Sequence, residues 1–153
     1  MHLDDIDREI VSALSGDGRR AYSKIAEQLD IAESVVRYRV QRLEKAGLLQ
    51  IVGLANPLKV GFELTALIGV QAAPGKLDDV AKFLAQLGET SFVARTAGRF
   101  DLIIEVVCRD TKHFASLLGD TLQSLDGVER TESFLVLSID KMSYGWDIRL
   151  AAD

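Results

Sequence analysis

The 153-residue sequence contains one cysteine and two histidines, and these shortages restrict the sites that it can build. Cys108 alone excludes an internal disulfide and any metal site made of clustered cysteines, and its apolar surroundings predict an inert core thiol. His2 lies at the terminus, and His113 lies at the start of a predicted helix. The sequence has no Ser/His/Asp set, no glycine loop suited to phosphate and no metal-ligand spacing, which argues against an enzyme.

The sequence also lacks a secretory signal and an apolar run of membrane-spanning length, so we expect a cytoplasmic protein. Hydrophobic residues make up 48% of the chain and charged residues 27%, a composition typical of folded globular proteins and not of disordered ones. A chain of this length can bury a core as one medium domain or as two small ones.

The net charge of −5 argues against a general nucleic-acid binder, but the charge is unevenly distributed. Residues 61–153 carry a net −5, whereas residues 1–60 are neutral overall. Within the neutral part, residues 19–45 hold seven basic and four acidic side chains, a net of +3. Any surface for a polyanion is therefore expected in 19–45, with the acidic half facing away from it.

Residues 23–47 predict two short helices joined by a tight turn, a helix-turn-helix. The first helix is expected to begin at an N-cap Ser23 and to end at Leu29; the second runs from about Glu33 and ends at Gly47. Its apolar stripe leaves a polar front that can contact bases and phosphates. The residues predicted to contact DNA are Ser23, Lys24, Ser34, Val35, Arg37, Tyr38, Arg39, Gln41 and Arg42.

The plainer interpretation of this segment is a solvated helical hairpin with a basic face. Arg39 is a separate ambiguity, because it lies beside the apolar stripe and can pair with Asp4, Asp7 or Glu44 instead of phosphate. Asp30 is expected to take the strained position in the tight turn, which aspartate tolerates better than most residues.

The predicted domains are a DNA-binding domain at 1–54, a linker at 55–62 and a second domain at 63–153. In the first domain, 3–15 predicts another helix, capped by Asp4 or Asp5, that closes the core beneath the helical pair. The apolar residues 48–54 predict a strand or wing. The fold class is therefore α+β, with an N-terminal winged helix-turn-helix domain.

The second domain alternates in the order β-α-β-β-α-β, which predicts a ferredoxin-like sandwich. Its elements are expected at 63–72, 76–87, 91–97, 101–108, 111–125 and 128–140. Two helices would cover one sheet face. The other face is expected to carry apolar residues that compete for burial and that nothing in the chain covers: Leu64, Ala66, Ile68, Val70, Ile103, Leu135 and Leu137. An uncovered apolar face predicts a partner, most simply a second copy of the chain.

Four segments in this order and spacing resemble the Lrp/AsnC, or feast/famine (leucine-responsive), regulators. They are LDDIDREIVSALSGDGR, RVQRLEKAGLL, GRFD and GVERTESFLVL, and the resemblance extends from about Leu3 to about Trp146. It implies a dimer, often a tetramer of dimers, that binds double-stranded operator DNA with repeated or palindromic half-sites. It also implies a sensed effector, an amino acid or related small molecule, and no other cofactor and no metal.

Matched position by position, the resemblance places the effector between subunits, beside the turn between the second and third strands and the fourth strand. The residues so implied are Gly98, Arg99, Phe100, Asp101, Thr131 and Ser133. A glycine turn can offer N–H groups to a carboxylate, and Asp101 can accept from an ammonium. The plainer interpretation is an ordinary hairpin turn.

Three departures from the family pattern concern the turns and the last strand. Ala32 stands where a serine usually caps the second helix, so that cap is absent or passes to Ser34. Asp30 replaces a common turn glycine, and Ser133 replaces a threonine but retains the hydroxyl.

The sequence leaves open two alternatives to an effector-responsive regulator. One is an enzyme of the same two-domain build, similar to tetrapyrrole decarboxylases. The other is an architectural DNA-binding protein that responds to no effector.

Overall fold

The computed structural model describes residues 3–141, which divide into two compact units, one ending at Leu54 and one comprising Ala55–Asp140. His2 and the last part of the predicted second domain, 142–153, lie outside the described residues. No helix in the described range is both long and apolar enough to cross a membrane.

The first unit, here called the headpiece, contains three helices. They are α1 (Asp5–Gly16), α2 (Tyr22–Leu29) and α3 (Glu33–Lys45). Asp4 caps α1, as one of the two predicted possibilities had it, and its Oδ1 accepts from the Asp7 N–H at 2.8 Å. Asp7 Oδ2 in turn accepts a hydrogen bond from the Asp4 N–H at 3.3 Å, which completes a capping box.

The headpiece core lies where the apolar stripes of the three helices meet. Its buried residues are Ile10, Val11, Leu14, Ile25, Ala26, Val36, Val40 and Leu43. The predicted stripe of α3, Val36, Val40 and Leu43, is confirmed, because all three side chains are at most 1% exposed. Burying one stripe leaves the opposite side of α3 in solvent.

Both helices of the helix-turn-helix begin without a side-chain cap, which contradicts the prediction for α2 and agrees with one of the two alternatives predicted for α3. Ser23 is not the N-cap of α2, because the helix begins at Tyr22 after Ala21, which makes no capping bond. Ala32 likewise precedes α3 without a side-chain cap, so the family serine is absent and Ser34 does not replace it. Asp30 has φ +52°, which confirms the left-handed turn position, and α3 ends before Gly47 at φ +69°.

The predicted strand at 48–54 is absent from the described residues. The N–H groups of Leu48 and Leu49 bond back to the Leu43 carbonyl at 2.9 and 3.4 Å and finish α3. Beyond them the backbone joins no described sheet, and Val52 and Leu54 are about three-fifths exposed. The segment is apolar but unpaired, so its β-prone composition forms no wing within one described chain.

The second unit is a four-stranded antiparallel sheet with helices on one side. Its elements are β1 (Leu64–Ala72), α4 (Leu77–Leu84), β2 (Thr90–Arg95), β3 (Leu102–Cys108), α5 (Thr111–Ser116) and β4 (Val128–Leu135). The strand order is β2-β3-β1-β4, which is the predicted ferredoxin-like arrangement. A π-helical turn, Leu117–Leu122, continues α5, and β4 ends before the predicted residue 140.

The helix-facing side of the sheet contains the core of the second unit. Its fully buried strand residues are Ala66, Ile68, Val70, Leu102, Ile104, Val106 and Cys108. The prediction that Ala66, Ile68 and Val70 belong to the uncovered face is therefore wrong. Leu64 packs against this core, Leu135 pairs with Ala66 on the same side, and Leu137 lies beyond β4 at 96% exposure. Only Ile103 of the predicted set lies on the other side, because it alternates with buried Leu102 and Ile104.

The opposite side, here called the open face, has a row of paired residues that crosses all four strands, apolar on three of them and a glutamate on β3. Phe92 pairs with Glu105, Glu105 with Leu67, and Leu67 with Phe134. Phe92, Leu67 and Phe134 are 52%, 40% and 49% exposed. The predicted uncovered face therefore exists, but with the opposite strand residues.

Candidate nucleic-acid interface and effector site

The solvent side of α3 presents one continuous polar stripe, here called the reading stripe: Ser34, Tyr38, Gln41 and Lys45. Their spacing of four, three and four residues places them on one helix face, opposite the buried residues. Tyr38 is 66% exposed. Tyr38, Gln41 and Lys45, with Arg42 at the border, line a depression of about 410 Å³. This face offers hydroxyl, amide and ammonium groups of the kinds that contact base edges and phosphates.

Arg37 lies beside the reading stripe on its α2 side. Its Nη2 donates to Glu33 Oε1 at 2.7 Å, and its guanidinium lies 5.4 Å from the centre of the Tyr22 ring. Both ends of the ion pair are about half exposed, so water competes for the interaction. Arg37 is therefore oriented by its neighbours yet available to a ligand.

Arg39 and Arg42 lie on the other side of the stripe, facing α1. Arg39 Nη1 donates to the Asp4 carboxylate at 2.6 and 2.7 Å and to Asp7 Oδ1 at 2.9 Å. Arg42 donates through Nη2 to Asp7 Oδ2. Asp7 is 1% exposed, so its charge is neutralised by these two arginines and not by water. Arg39 thus pairs with Asp4 and Asp7 in this structure, which is one of the two roles that the sequence left open for it.

The Asp4–Arg39 pair shifts the pKa of both groups toward their charged forms. The hydrogen bond from Arg39 lowers the pKa of Asp4, assisted by the Asp7 N–H. The hydrogen bonds to Asp4 and then Asp7 raise the pKa of Arg39. The pair is therefore ionised throughout the physiological pH range.

The remaining predicted DNA residues lie at the borders of this surface. Ser23 and Lys24 are exposed in the first turn of α2, where Lys24 Nζ contacts Glu27 at 3.3 Å in a largely solvated pair. Val35 is 39% exposed on the α3 flank shared with Arg39 and Arg42. Lys45, which the predicted set omitted, extends the reading stripe by one turn.

The turn between β2 and β3, residues 96–101, folds over the open face. Thr96 donates its N–H to the Asp101 carbonyl at 2.9 Å and its hydroxyl to the Phe100 carbonyl at 2.6 Å. Asp101 Oδ2 accepts from the Ala72 N–H at 2.9 Å at the end of β1. The Asp101 carboxylate therefore already has a structural role in fastening the turn to the sheet.

Phe100 lies on the open face directly over Gly69 of β1. A Cβ atom added at Gly69 would meet three carbons of the Phe100 ring at 2.4–2.6 Å, so glycine is needed for this approach. Phe100 is only 8% exposed despite its position on this face. Gly98 differs, because its φ lies outside the left-handed region and a Cβ there would meet nothing within 4 Å.

Arg99 crosses to β4, where its Nη2 donates to Glu132 Oε2 at 2.6 Å. Its guanidinium lies 5.0 Å from the centre of the Phe100 ring, and its carbonyl accepts from Gln71 Nε2 at 2.9 Å. Arg130 approaches Glu132 at 3.7 Å. The Arg99 guanidinium and the Glu132 carboxylate thus lie side by side at the rim of the open face, where a zwitterionic ligand could contact both.

Thr131 and Ser133 are not on this side of the sheet. Thr131 pairs with Val70 and Ser133 with Ile68, both of which face the helices, and paired residues share a sheet face. The structure therefore brings Arg99, Phe100 and Asp101 together but separates Thr131 and Ser133 from them. Glu132 is not among the predicted residues, although its place between Thr131 and Ser133 in a strand puts its side chain on the opposite face from theirs.

No cluster of metal-ligating side chains occurs among the described residues 3–141. Cys108 is fully buried in β3, as predicted, and burial raises the pKa of its thiol, with smaller contributions from Glu89 and Asp110. The thiol therefore remains protonated at neutral pH.

Two family models match the chain, one in each unit. The AsnC-type helix-turn-helix domain matches residues 3–44, and the Lrp/AsnC ligand binding domain matches residues 65–146. An HTH-type transcriptional regulator of Pyrococcus furiosus is 36% identical over 143 residues, which are 93% of this chain and 97% of the relative.

Solved structures with the same architecture include two regulators. AsnC of E. coli is 26% identical with a TM-score of 0.82, covering 93% of this chain and 97% of that one. Transcriptional regulator NMB0573 of Neisseria meningitidis, solved in complex with L-Met, is 26% identical with a TM-score of 0.87, covering 98% and 99%.

Proposed function

The chain belongs to the Lrp/AsnC family of transcriptional regulators, with a helix-turn-helix domain and a ligand-binding domain, and from this premise we propose that it binds operator DNA through the reading stripe under the control of an amino-acid-like effector. The observation that carries the proposal is the stripe itself. It presents four polar side chains on the exposed face of α3, directly opposite its buried seam.

Base reading falls to Arg37 and Gln41. Arginine can donate two hydrogen bonds to guanine, and glutamine can exchange two with adenine. Arg37 is held only by a half-exposed glutamate and a tyrosine ring, so it can exchange them for a base edge. Ser34, Tyr38 and Lys45, with Ser23 and Lys24 at the start of α2, then fix the helix on the phosphates.

Self-association takes place through the open face. Three exposed apolar side chains, Phe92, Leu67 and Phe134, share one row across the sheet, and covering such a face is the usual reason for dimer formation. A dimer presents two headpieces and therefore requires two half-sites, repeated or palindromic. Assembly to a tetramer of dimers follows from the family resemblance alone.

The effector binds at the β2–β3 turn, with its carboxylate near Arg99 and its ammonium near Asp101 or Glu132. The Arg99–Glu132 pair is partly exposed and already holds the two charges that a zwitterion requires. Neither the backbone conformation of Gly98 nor its neighbours require a glycine there. Its missing side chain is therefore free to serve the close approach of a ligand to the backbone of the turn. The related Neisseria regulator has been solved with L-Met, which makes amino acids the first class to test.

Control then follows from linkage between the two sites. An effector that binds only one assembly, at ~100 times its dissociation constant, stabilises that assembly by about 2.7 kcal/mol. This is enough to change operator occupancy when two assemblies are of similar free energy.

The enzyme alternative is set aside, because the relatives of this chain are named as transcriptional regulators. The architectural alternative differs only in lacking an effector response. The opposite charges of Arg99 and Asp101 at the β2–β3 turn favour a regulator that binds an effector.

The direct test is fluorescence anisotropy on DNA from upstream of the protein's own gene, at fixed salt, with each of the twenty amino acids in turn. We expect binding that random DNA cannot displace and that one amino acid alters. Specific binding unaffected by every amino acid would remove the amino-acid effector. Absence of specific binding to this and other promoter DNA would contradict the proposed function.

A second test isolates the charge of Asp101. Asp101→Asn keeps an oxygen for the Ala72 N–H but removes the charge, whereas Asp101→Ala removes both. We expect either variant to lose the effector response and to retain ligand-free DNA binding. An unchanged response in Asp101→Asn would exclude Asp101 as the ammonium partner.

A further inference from the structure

The two carboxylates at the start of α1 hold two arginines on one flank of α3. Asp4 and Asp7 both accept from Arg39, and Asp7 also accepts from Arg42. Arg39 is 19% exposed and Arg42 35% exposed, far less than Arg37 at 57%. The cluster therefore divides the three arginines of α3 into one available to a ligand and two that are engaged.

We propose that Asp4 and Asp7 limit the non-specific, salt-dependent affinity of the headpiece for DNA by withholding Arg39 and Arg42 from the DNA backbone. This inference rests on the proposed DNA-binding function and adds residues that do not themselves contact DNA. Asp4 and Asp7 act as positioning residues, because they work only through the two arginines.

The position of the two arginines makes this withholding consequential. A helix in the major groove lies between two sugar–phosphate backbones, so side chains at its flanks are the ones nearest to phosphates. Arg42 borders the depression formed by the reading stripe, and Arg39 lies one turn earlier on the same flank. Freed from α1, their long side chains would reach for phosphate.

Phosphate contacts strengthen binding to every sequence equally, so adding them raises non-specific affinity without improving base recognition. Up to Leu54 the sequence holds eight basic and nine acidic side chains, which already disfavours non-specific binding. Two engaged arginines reduce the available cations further. Binding must then depend more on the contacts of Arg37 and Gln41 with bases.

The burial of Asp7 prevents DNA from simply taking the arginines. Arg42 could leave Asp7 only by weakening the neutralisation of a carboxylate that is 1% exposed. An uncompensated buried charge is strongly unfavourable, whereas a solvated phosphate contact gains little by comparison. The engaged state is therefore retained in the complex.

The test compares the salt dependence of binding for Asp7→Asn and Asp5→Asn in the full-length protein, on random-sequence duplex DNA and on the DNA upstream of its own gene. Both variants remove one negative charge from α1. Asp5 is exposed and forms no ion pair among the described residues, so Asp5→Asn is the matched control. Thermal unfolding followed by circular dichroism verifies that each variant is folded.

We expect Asp7→Asn to steepen the slope of log K against log salt by about 0.9 relative to Asp5→Asn, which corresponds to one added phosphate contact. The affinities for random-sequence DNA and for the upstream DNA should rise by a similar factor, because a phosphate contact does not depend on sequence. Adding Arg42→Gln to Asp7→Asn should cancel the extra slope. Equal slopes for Asp7→Asn and Asp5→Asn would overturn the proposal.

Arg42→Gln alone decides the case if Asp7→Asn does not fold. Because Arg42 is withheld in the native protein, this variant should leave the slope on random DNA unchanged. A slope shallower by about 0.9 would mean that Arg42 already contacts phosphate, and it would overturn the proposal. Failure of the proposed function is distinguishable, since the native protein would then show no preference for any promoter DNA.

Discussion

Substituting alanine for Gly69 tests whether Phe100 is seated on the open face of this chain. The added Cβ would lie 2.4 Å from the nearest Phe100 ring carbon, whereas non-bonded carbons prefer about 3.5–4.0 Å. The ring must therefore move by roughly 1 Å, and the β2–β3 turn must follow it. Overpacking of this kind costs about 1–3 kcal/mol.

The sign of the effect makes the test decisive. Glycine within a strand is less favourable than alanine by about 0.5–1 kcal/mol, so without the ring Gly69→Ala would stabilise the sheet. With the ring in place we expect a net loss of about 1–2 kcal/mol. In a unit the size of Ala55–Asp140, each kcal/mol lowers the unfolding temperature by about 4–8 °C.

The assay is differential scanning calorimetry of four proteins: the native chain, Gly69→Ala, Phe100→Ala and the double variant. Gly98→Ala is the matched control in the same turn, since a Cβ there meets nothing within 4 Å. We expect Gly98→Ala to retain native stability. In the double variant the alanine at 69 should become neutral or stabilising, giving a coupling of about 0.5–3 kcal/mol.

Two results would refute the reasoning. If Gly69→Ala stabilised the native chain, the ring would not occupy the place over Gly69. If Gly69→Ala destabilised the native and Phe100→Ala backgrounds equally, the loss would have another cause. The same variants measured for effector response would then show whether the position of Phe100 matters for ligand binding.

Three shorter predictions concern other parts of the chain. Measured by fluorescence anisotropy, Arg37→Ala should lose about 1–3 kcal/mol of binding free energy on operator DNA and relax specificity, whereas Arg109→Ala, which changes an exposed arginine just after β3 in the second unit, should lose nothing. Equal weakening on all sequences would indicate that Arg37 contacts phosphate instead of a base. Cys108 should react with iodoacetamide only after urea unfolds the second unit, because burial raises the pKa of its thiol; rapid native labelling would contradict this. Arg39 lowers the pKa of Asp4 in the folded protein, so the stability from this pair is present above the ordinary carboxylate pKa of about 4 and is lost as pH falls through the lowered value. Urea unfolding from pH 6 to pH 3 should show this loss, and Asp4→Asn should remove that part of the pH dependence.

The order of helices and strands was predictable because local periodicity encodes it. Val36, Val40 and Leu43 lie at helical spacing, and the same spacing in the structure buries all three. The turn glycines and the polar breaks then separate the strands of the second unit. Such signals need no knowledge of distant contacts.

The segment 48–54 shows where local signals fail. Its residues are apolar and β-prone, but a strand also requires a neighbouring strand with free hydrogen-bonding groups. No described strand lies beside it, and Val52 remains 60% exposed. Composition indicates that a segment favours burial, whereas pairing depends on the rest of the fold or on a partner.

The faces of the sheet failed for a different reason. In β1 one alternating set is apolar throughout, Leu64, Ala66, Ile68 and Val70, whereas the other set is mixed, with Thr65, Leu67, Gly69 and Gln71. Alternation shows which residues share a face, but it does not show which of the two faces the helices cover. The helices choose between them, and α4 and α5 pack on Ile68 and its neighbours. Tertiary packing decides which face of the sheet is covered. Because side chains alternate between the two faces, assigning one residue of a strand to the wrong face reverses the prediction for all the others.

The same alternation of side chains decides which residues of β4 can contribute to the proposed effector site. The turn with Arg99 and Asp101 lies over the open face, whereas Thr131 and Ser133 point toward the helix side of β4, an edge strand. A ligand small enough to fit beside Arg99 and Glu132 cannot also reach both hydroxyls through the sheet of one chain. If Thr131 and Ser133 contact an effector held at this turn, they must do so from the edge of a second subunit. The separation of the two sets within one chain thus favours a site shared between subunits, which couples effector binding directly to assembly.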